Sequence, residues 1–325
     1  MCRSMIAVVI IAGTLSCQSQ GWGKFWETEH DAPPPVVGTA ISDGSNWTAR
    51  TLPSSQLWQS VTYGNGLFVA VATGPSTAAA TSPDGVTWTL RTLPSSQSWQ
   101  AVTFGNGTFV VVSAPGTAAA SSPDGITWTA RTLPSSANWG GVTYSSGTFV
   151  AVSAVGTAAA TSSDGFTWTS RTLPSSQFWI SVSYGSGIFS AISNGANAAA
   201  SSPDGITWTG RSLPSTQNWL SVIAGNGTFV AVADGPTNVS ASSADGITWV
   251  GQSLPSSQLW KSVTWGGGTF VTVASSSALA ATSPDGITWT QRTLPSSQNW
   301  QAVTFGNGIF VAVAAGPSNV AATSP

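Results

Sequence analysis

The side chains that could do chemistry in this 325-residue chain are few, and most of them repeat at a fixed spacing. Seven Asp-Gly pairs, each followed by a tryptophan, recur every 40 or 41 residues. The aspartates are Asp43, Asp84, Asp124, Asp164, Asp204, Asp245 and Asp285. Six arginines share a second repeat position, at which the remaining repeat has Gln252: Arg50, Arg91, Arg131, Arg171, Arg211 and Arg292. Residues that recur in this way are more simply explained by construction of the repeat than by a single active site.

Two charged residues beyond residue 35 fall outside this pattern, Asp234 and Lys261. They lie in adjacent repeats, which predicts a surface ion pair contributing under about 1 kcal/mol. The alternative is that they mark one asymmetric pocket.

Hydrolytic chemistry lacks its usual residues from residue 36 onward, since this segment contains no glutamate, histidine or cysteine. Tyr63, Tyr144 and Tyr184 share one repeat position with Phe, Trp and Ala, which is typical of packing. One carboxylate per repeat is too few for calcium. We therefore predict no enzyme activity, no cofactor and no metal, with a glycosidase-like enzyme as a remote alternative.

Composition gives little support to electrostatic partners, because 6% of residues are charged and the net charge is −2. We expect no nucleic-acid partner. Alternating apolar runs separated by Gly, Pro, Ser and Thr favour turn-rich all-β structure.

One repeat, residues 84–123, encodes four short strands. The predicted strands are Val86–Thr92, Trp99–Phe104, Phe109–Ser113 and Thr117–Ser121. Pro94–Gln97 is expected to break the chain between the first two, because proline cannot donate to a ladder. Four antiparallel strands in about 40 residues match one propeller blade. The chain is predicted to be all-β: a seven-bladed β-propeller of four-stranded antiparallel blades.

The ends of the chain predict how the ring closes. The N-terminal strand around Trp47 is expected to complete the last blade beside the C-terminal strands. Two further segments, Val36–Ser42 and Ser318–Thr323, are copies of the same strand and compete for one position.

The stretch Ser82-Pro83-Asp84-Gly85-Val86-Thr87-Trp88 resembles the Asp-box motif of sialidase-like propellers, although no residue separates Asp from Gly here. Similar stretches end at Trp128, Trp168, Trp208, Trp249 and Trp289, with a looser copy at Trp47. The resemblance implies a BNR-like repeat propeller in which the box is a folding element remote from any catalytic centre. It implies a structural role for the seven turn aspartates.

The N-terminus predicts export and division into three segments. Residues 1–17 are interpreted as an export signal, residues 18–35 as a tether and residues 36–325 as the propeller. Thr14-Leu15-Ser16-Cys17 resembles a bacterial lipobox, which makes Cys17 the candidate for lipidation. Simple secretion and a chance match are the alternatives. The expected location is the bacterial outer membrane or cell surface, otherwise periplasmic or secreted, with membrane contact only through the anchor.

The arginine series has two interpretations. Arg91 has the opposite strand parity to Trp88, so the two side chains point to different faces. The simpler interpretation is a guanidinium that seals the gap between blades, bonded or stacked at its head. The other is an annulus that binds a polyanion.

Candidate binding residues follow from the positions at which the repeats differ. One such position follows a second tryptophan series, and it is occupied by Gln59, Gln100, Gly140, Ile180, Leu220, Lys261 and Gln301. The turn after the third strand also varies and includes Asp234. Strand alternation places both on one rim, where propellers usually bind ligands. Gln59, Gln100, Ile180, Leu220, Lys261, Gln301 and Asp234 form the predicted binding rim, although unconstrained drift of loops gives the same scatter.

Two kinds of partner remain, a protein or a glycan. The preferred interpretation is an exported, surface-anchored binding or scaffolding module for protein–protein recognition. The alternative is a lectin-like propeller in which sugars stack on exposed tryptophans of the second series. Exposure of those tryptophans discriminates between them.

Overall fold

A computed structural model describes residues 42–325, and these residues form β-strands and turns without a helix. The strands are Thr48–Gly64 (β1), Leu67–Thr73 (β2), Ser76–Ser82 (β3), Thr89–Gln97 (β4), Trp99–Gly105 (β5), Thr108–Ser113 (β6), Gly116–Ser122 (β7), Thr129–Ala137 (β8), Trp139–Ser145 (β9), Thr148–Ser153 (β10), Ala158–Ser162 (β11), Thr169–Thr172 (β12), Phe178–Gly185 (β13), Ile188–Ser202 (β14), Thr209–Gly225 (β15), Thr228–Asp234 (β16), Thr237–Ser243 (β17), Val250–Gly266 (β18), Thr269–Ser275 (β19), Ser277–Ser283 (β20), Thr290–Gly306 (β21), Ile309–Ala315 (β22) and Ser318–Ser324 (β23). The predicted export signal, the lipidation of Cys17 and the tether fall outside the described residues. Nothing within the described part is a helix that could span a membrane.

The strand pairings of residues 48–324 are all antiparallel and join the strands into one fifteen-stranded sheet, β13 to β23 followed by β1 to β4, and two four-stranded sheets, β5–β8 and β9–β12. Long strands change partner along their length, so we treat each set of four paired segments as one sheet. Five strands are long enough to contribute to two sheets or to two positions of one sheet: β1, β14, β15, β18 and β21. We number the sheets 1 to 7 by their innermost strands, which contain Trp58, Trp99, Trp139, Trp179, Trp219, Trp260 and Trp300. The prediction of an all-β propeller of antiparallel sheets is confirmed.

The two ends of the described chain meet in sheet 7. Thr48–Thr51 of β1 pairs with β23, while Trp58–Gly64 of the same strand pairs with β2 in sheet 1. The N-terminal strand therefore completes the last sheet, as predicted. Ser318–Ser324 occupies the third position of that sheet. Of its predicted competitor, Val36–Ser42, only Ser42 is described.

The apolar core lies between neighbouring sheets. Val110 and Val112 of sheet 2, for example, pack with Trp139 and Phe149 of sheet 3. The corresponding cluster between the first and last sheets joins Phe68 to Val311 and Val313. Each second strand is apolar on both faces, so it needs cover on both sides, and the adjacent sheets provide it.

Two local predictions were wrong. Val86 to Trp88 belong to the turn rather than to the first strand, because Asp84 binds the N–H groups of Val86 and Thr87 and removes them from the ladder. Pro94–Gln97 does not break the strand but continues β4. The missing N–H donor of Pro94 is tolerated because the residues between Thr92 and Gln97 are not paired with the neighbouring strand. Thr92 pairs with Ala78, and the next pair is Gln97 with Ser76.

The tight hairpins behave as their sequences predict. Asn106 and Gly107 both have positive φ, 47° and 70°, which is the conformation of a two-residue type I′ turn. Its twist matches that of the flanking strands, so β5 and β6 stay in register from Gly105–Thr108 to Trp99–Ser113, apart from one bulge.

Candidate functional site

A β-bulge follows the inner-strand tryptophan in each of the seven sheets of residues 48–324. In sheet 1, Trp58 pairs with Ala72 and Ser60 with Val71, so Gln59 is the extra residue. The bulged residues are the variable series Gln59, Gln100, Gly140, Ile180, Leu220, Lys261 and Gln301. Bulges redirect a side chain and are common beside functional sites. The positions that differ most between repeats therefore share one special backbone geometry.

The bulged residues surround a single cavity. All seven of them, with the residue after each, border a space of about 220 Å³, which we call the axial mouth. Six of the predicted rim residues line it: Gln59, Gln100, Ile180, Leu220, Lys261 and Gln301. Asp234 lies beside the mouth and contacts it through Lys261. The sequence interpretation missed the residue after each bulge, such as Ser60 and Ser221, although its place next to the variable position was a usable signal.

The wall of the axial mouth is divided into two arcs. Four polar residues follow one another around the ring in sheets 6, 7, 1 and 2: Lys261, Gln301, Gln59 and Gln100. The remaining arc, in sheets 3, 4 and 5, consists of Gly140, Ile180 and Leu220. All of these are half-buried. A ligand in the mouth thus meets hydrogen-bonding groups on one side and aliphatic carbon on the other.

Lys261 and Asp234 form an ion pair between sheets 5 and 6. Lys261 Nζ lies 2.7 Å from Asp234 Oδ2, and the two side chains are 18% and 23% exposed. The equivalent contact between sheets 1 and 2 is a hydrogen bond of 3.0 Å from Gln100 Nε2 to Thr73 Oγ1. Asp234 Oδ1 is buried and receives no hydrogen bond from the described residues. The pair therefore ties two sheets together beside the mouth.

Serine hydroxyls join several inner strands below the bulges. Ser60 Oγ accepts a hydrogen bond of 3.2 Å from the Val102 N–H of the next sheet. The same bond links Ser181 to Val222, Ser221 to Val263 and Ser262 to Val303. Sheets 2, 3 and 7 have Ala101, Gly141 and Ala302 at this position, and these residues have no hydroxyl. The Val142 and Val182 N–H groups beside the mouth therefore lack a serine acceptor.

The second tryptophan series is completely buried, with 0% exposure at all seven positions. Trp219 is typical: its indole N–H donates to the Ser215 carbonyl at 3.1 Å. These rings cannot serve as open stacking platforms for sugars. The feature that would have favoured the lectin-like alternative is not found in residues 42–325.

The turn aspartates are engaged in the backbone. Asp124 Oδ1 accepts bonds from the Ser122 hydroxyl at 2.9 Å and from the N–H groups of Ile126 and Thr127, both at 2.8 Å. The same set recurs at Asp84, Asp164, Asp204, Asp245 and Asp285, while Asp43 accepts from the Ser45 N–H. The N–H groups of Thr127 and Ile126 lower the pKa of Asp124. No three His, Cys, Asp or Glu side chains among the described residues come together as a metal site.

Acid should destabilise the protein through these turns. A carboxyl group whose pKa is lower in the folded chain stabilises it above the unfolded pKa, and this contribution disappears as pH falls through the folded value. The ordinary pKa of an aspartate side chain is 3.8. The urea concentration at the midpoint of unfolding should therefore stay constant down to about pH 5 and fall steeply below about pH 3.8. Asp124→Asn keeps an acceptor but cannot titrate, so it should reduce that pH dependence. A midpoint that is level from pH 5 to about pH 2.5 would contradict this role.

The arginines lie on the fourth strand of each sheet that has one, and their hydrogen bonds are made within that sheet. Each donates its Nε–H to a Ser or Thr hydroxyl of the adjoining strand, as Arg171 does to Thr161 Oγ1 at 2.9 Å. Arg131 also stacks on Phe166 of the next sheet, with Cζ 4.3 Å from the ring centroid. Both contacts agree with the gap-sealing interpretation, in which the head is bonded or stacked.

Comparison with known proteins supports the fold. Residues 43–187 match the DUF6242 beta propeller domain. No curated protein matches the chain. A virginiamycin B lyase from Staphylococcus aureus is similar with a TM-score of 0.75 and 12% identity, over 86% of this chain and 98% of that one. YCF48 bound to D1 peptide is similar with a TM-score of 0.68 and 15% identity, over 89% and 99%.

The prediction that this protein is not an enzyme must be corrected. A streptogramin B lyase is also similar, with a TM-score of 0.77 and 11% identity over 87% of this chain and 99% of that one. Propellers of this architecture therefore include enzymes, and the missing glutamate, histidine and cysteine do not exclude catalysis by other groups. Identities of 11–12% show the fold alone and transfer no catalytic residue to this chain.

Proposed function

We propose that this propeller is a recognition module that binds a segment of another protein at the axial mouth. The observation that carries the proposal is that the position that varies among the repeats is also the position of the β-bulge. Seven nearly identical sheets differ most at one bulged residue each, and the seven bulged residues surround one cavity. A constant scaffold with variable residues at a single opening is typical of a binding surface.

The chemistry of the mouth favours a peptide segment over a uniformly polar ligand. Ile180 and Leu220 offer aliphatic surface, while Gln301, Gln59 and Gln100 offer amide donors and acceptors on the opposite arc. A peptide presents an apolar side chain and backbone amide groups at once, so it can satisfy both arcs. A space of about 220 Å³ admits one or two side chains of a partner rather than a whole drug-sized ligand.

The known peptide-binding propeller is a precedent and no more. YCF48 is seen with a bound D1 peptide, which shows that a propeller of similar fold can hold a peptide. The chemistry of the mouth in this chain carries the argument here.

Location and turn type belong to the same proposal. The apolar run before Cys17 and the lipobox-like Thr14-Leu15-Ser16-Cys17 support an exported, lipid-anchored protein. The triple acceptor role of six of the seven turn aspartates supports an Asp-box-like folding element.

Selection of peptides tests the proposal. A displayed random peptide library, selected on the full chain, should yield peptides whose affinity falls about 10–100-fold on Leu220→Ser, since that change removes one buried aliphatic contact of about 1.5–3 kcal/mol. Leu90→Ser is the matched control, because Leu90 is 49% exposed on an outer strand and does not border the mouth. Peptides that bind both variants equally well would overturn the mouth as the binding site.

A further inference from the structure

Six arginine side chains are fixed in place but leave most of their donors unused. Each guanidinium makes one hydrogen bond within residues 42–325, from Nε to a Ser or Thr hydroxyl at 2.8–3.0 Å. No carboxylate of the described residues lies within salt-bridge distance of any of them. A guanidinium has five N–H donors in a planar fork, so two Nη groups per arginine remain for a ligand.

A groove of about 320 Å³ lies beside the guanidinium group of Arg171, between sheets 3 and 4. Its wall carries the hydroxyls of Thr148, Thr161 and Thr169, and Ile206 of the next turn stands exposed at the opposite side. One cation, several hydroxyls and an aliphatic face therefore lie within one small groove.

Sheet 5 provides a natural contrast. The groove of about 340 Å³ between sheets 5 and 6 has Gln252 where Arg171 stands and Val250 where Thr169 stands. Thr169 and Arg171 are two residues apart on one strand, so their side chains share a face. The repeat that lacks the arginine thus also lacks the neighbouring hydroxyl. Gln252 Nε2 still donates to Ser242 Oγ at 3.0 Å, so the sheet keeps its structural bond without the cation.

The loss of both groups together points to a ligand rather than to construction alone. Gln252 keeps the bond to Ser242 in sheet 5, so this bond alone gives no reason for the change from threonine to valine two residues before it. Arg292 is a second exception. Burial raises the pKa of Asp43, but hydrogen bonds from Ser45 and the charge of Arg292 lower it overall, so the carboxylate of Asp43 partly balances the charge of this arginine. The arginine of interest is Arg171, together with the arginines that occupy the same repeat position in other sheets: Arg50, Arg91, Arg131 and Arg211.

We propose that the groove beside Arg171, and the equivalent surfaces beside the other four arginines, bind acidic glycans. The anionic group of the sugar accepts paired hydrogen bonds from the Nη groups, as carboxylate and phosphate groups do from arginine. Ring hydroxyls bond the threonine hydroxyls, and the apolar face of the ring packs on Ile206 or its equivalent. Both carboxylated and sulfated sugars have this chemistry. Because these surfaces recur around the ring, a polymer can occupy several at once and gain avidity.

Binding of the full chain to immobilised polysaccharides tests the proposal. Polygalacturonate represents carboxylated sugars, dextran sulfate represents sulfated sugars, dextran is the neutral control and polyphosphate is the anion without sugar. We expect binding to one or both acidic glycans and none to dextran. The variant Arg91→Gln, Arg131→Gln, Arg171→Gln, Arg211→Gln should bind at least about tenfold more weakly, because it loses charge-assisted hydrogen bonds to the anionic groups.

The glutamine substitutions copy sheet 5, so the variant should fold, and its far-ultraviolet circular dichroism and melting temperature check this. The reverse change, Val250→Thr with Gln252→Arg, should strengthen binding. Leu220→Ser at the axial mouth should leave glycan binding unchanged, which separates this proposal from peptide binding there. Absence of binding to both acidic glycans, equal binding of polyphosphate or dextran, full binding by the four-arginine variant, or loss of binding in Leu220→Ser would each overturn the proposal.

Discussion

Trp260→Ala should lower the free energy of unfolding by about 3–5 kcal/mol, which is the range for truncating a fully buried aromatic side chain. Trp260 has 0% exposure and belongs to the apolar cluster between sheets 5 and 6. Its indole N–H also donates to the Ser256 carbonyl at 3.2 Å. Alanine would leave a cavity between two sheets and a backbone carbonyl without its donor. Equilibrium urea unfolding, followed by far-ultraviolet circular dichroism, measures the loss.

Trp289→Ala is the matched control, because Trp289 packs against the edge of the same cluster. It is only half-buried, and its indole nitrogen has no hydrogen-bond partner among the described residues. The loss of stability should therefore be smaller than for Trp260 by at least about 1 kcal/mol. Equal losses would show that burial between the sheets does not set the contribution of the two tryptophan series.

The regular elements of the fold could be predicted because the residue pattern that encodes each of them recurs seven times in the sequence. The Asp124-Gly125 turn, the Asn106-Gly107 hairpin and the apolar second strand each follow from local physics. Pro94–Gln97 could not be placed in the same way. In the structure, the four residues between Thr92 and Gln97 face only one residue of the partner strand, between Ala78 and Ser76. This irregular pairing depends on both strands and cannot be predicted from the segment alone.

The candidate site was predictable by position and not by geometry. Variation among repeats identified Gln59, Ile180 and Lys261, but alternation along a strand cannot reveal an inserted residue. Only the pairing of Trp58 with Ala72 and Ser60 with Val71 identifies Gln59 as a bulge. Division of the mouth into two arcs likewise needs the order of the sheets in the ring.

The absence of familiar catalytic residues is weak evidence against enzyme activity. The sequence from residue 36 lacks glutamate, histidine and cysteine, yet similar propellers include lyases. A fold fixes where a site can form, while the chemistry depends on the few side chains placed there. The two proposals made for this chain concern different side chains, the bulged residues of the mouth and the arginines, so they can be tested separately.

Gly266→Ala should lower the free energy of unfolding by about 2–3 kcal/mol, because it overfills a contact between sheets. A Cβ at this position would overlap the ring of Phe305 in the next sheet. Phe305 cannot easily withdraw, since its ring packs against that of Phe310 at an angle of 57°, with centroids 4.8 Å apart. The contact recurs around the ring, and Gly306 against Tyr63 closes it between the last and first sheets.

Ser145 occupies the same repeat position in sheet 3 and already carries a Cβ, so Ser145→Ala should change the stability by less than about 0.5 kcal/mol. The difference between the two alanine variants isolates the cost of a methyl group beneath an aromatic ring from any general effect of the position. Phe305→Ala in the Gly266→Ala background should recover part of the loss, because residues in contact couple. If Gly266→Ala unfolds at the same urea concentration as the unaltered protein, the inner strands are not packed as closely as the contact requires, and the close approach of neighbouring sheets at this end of the ring is wrong.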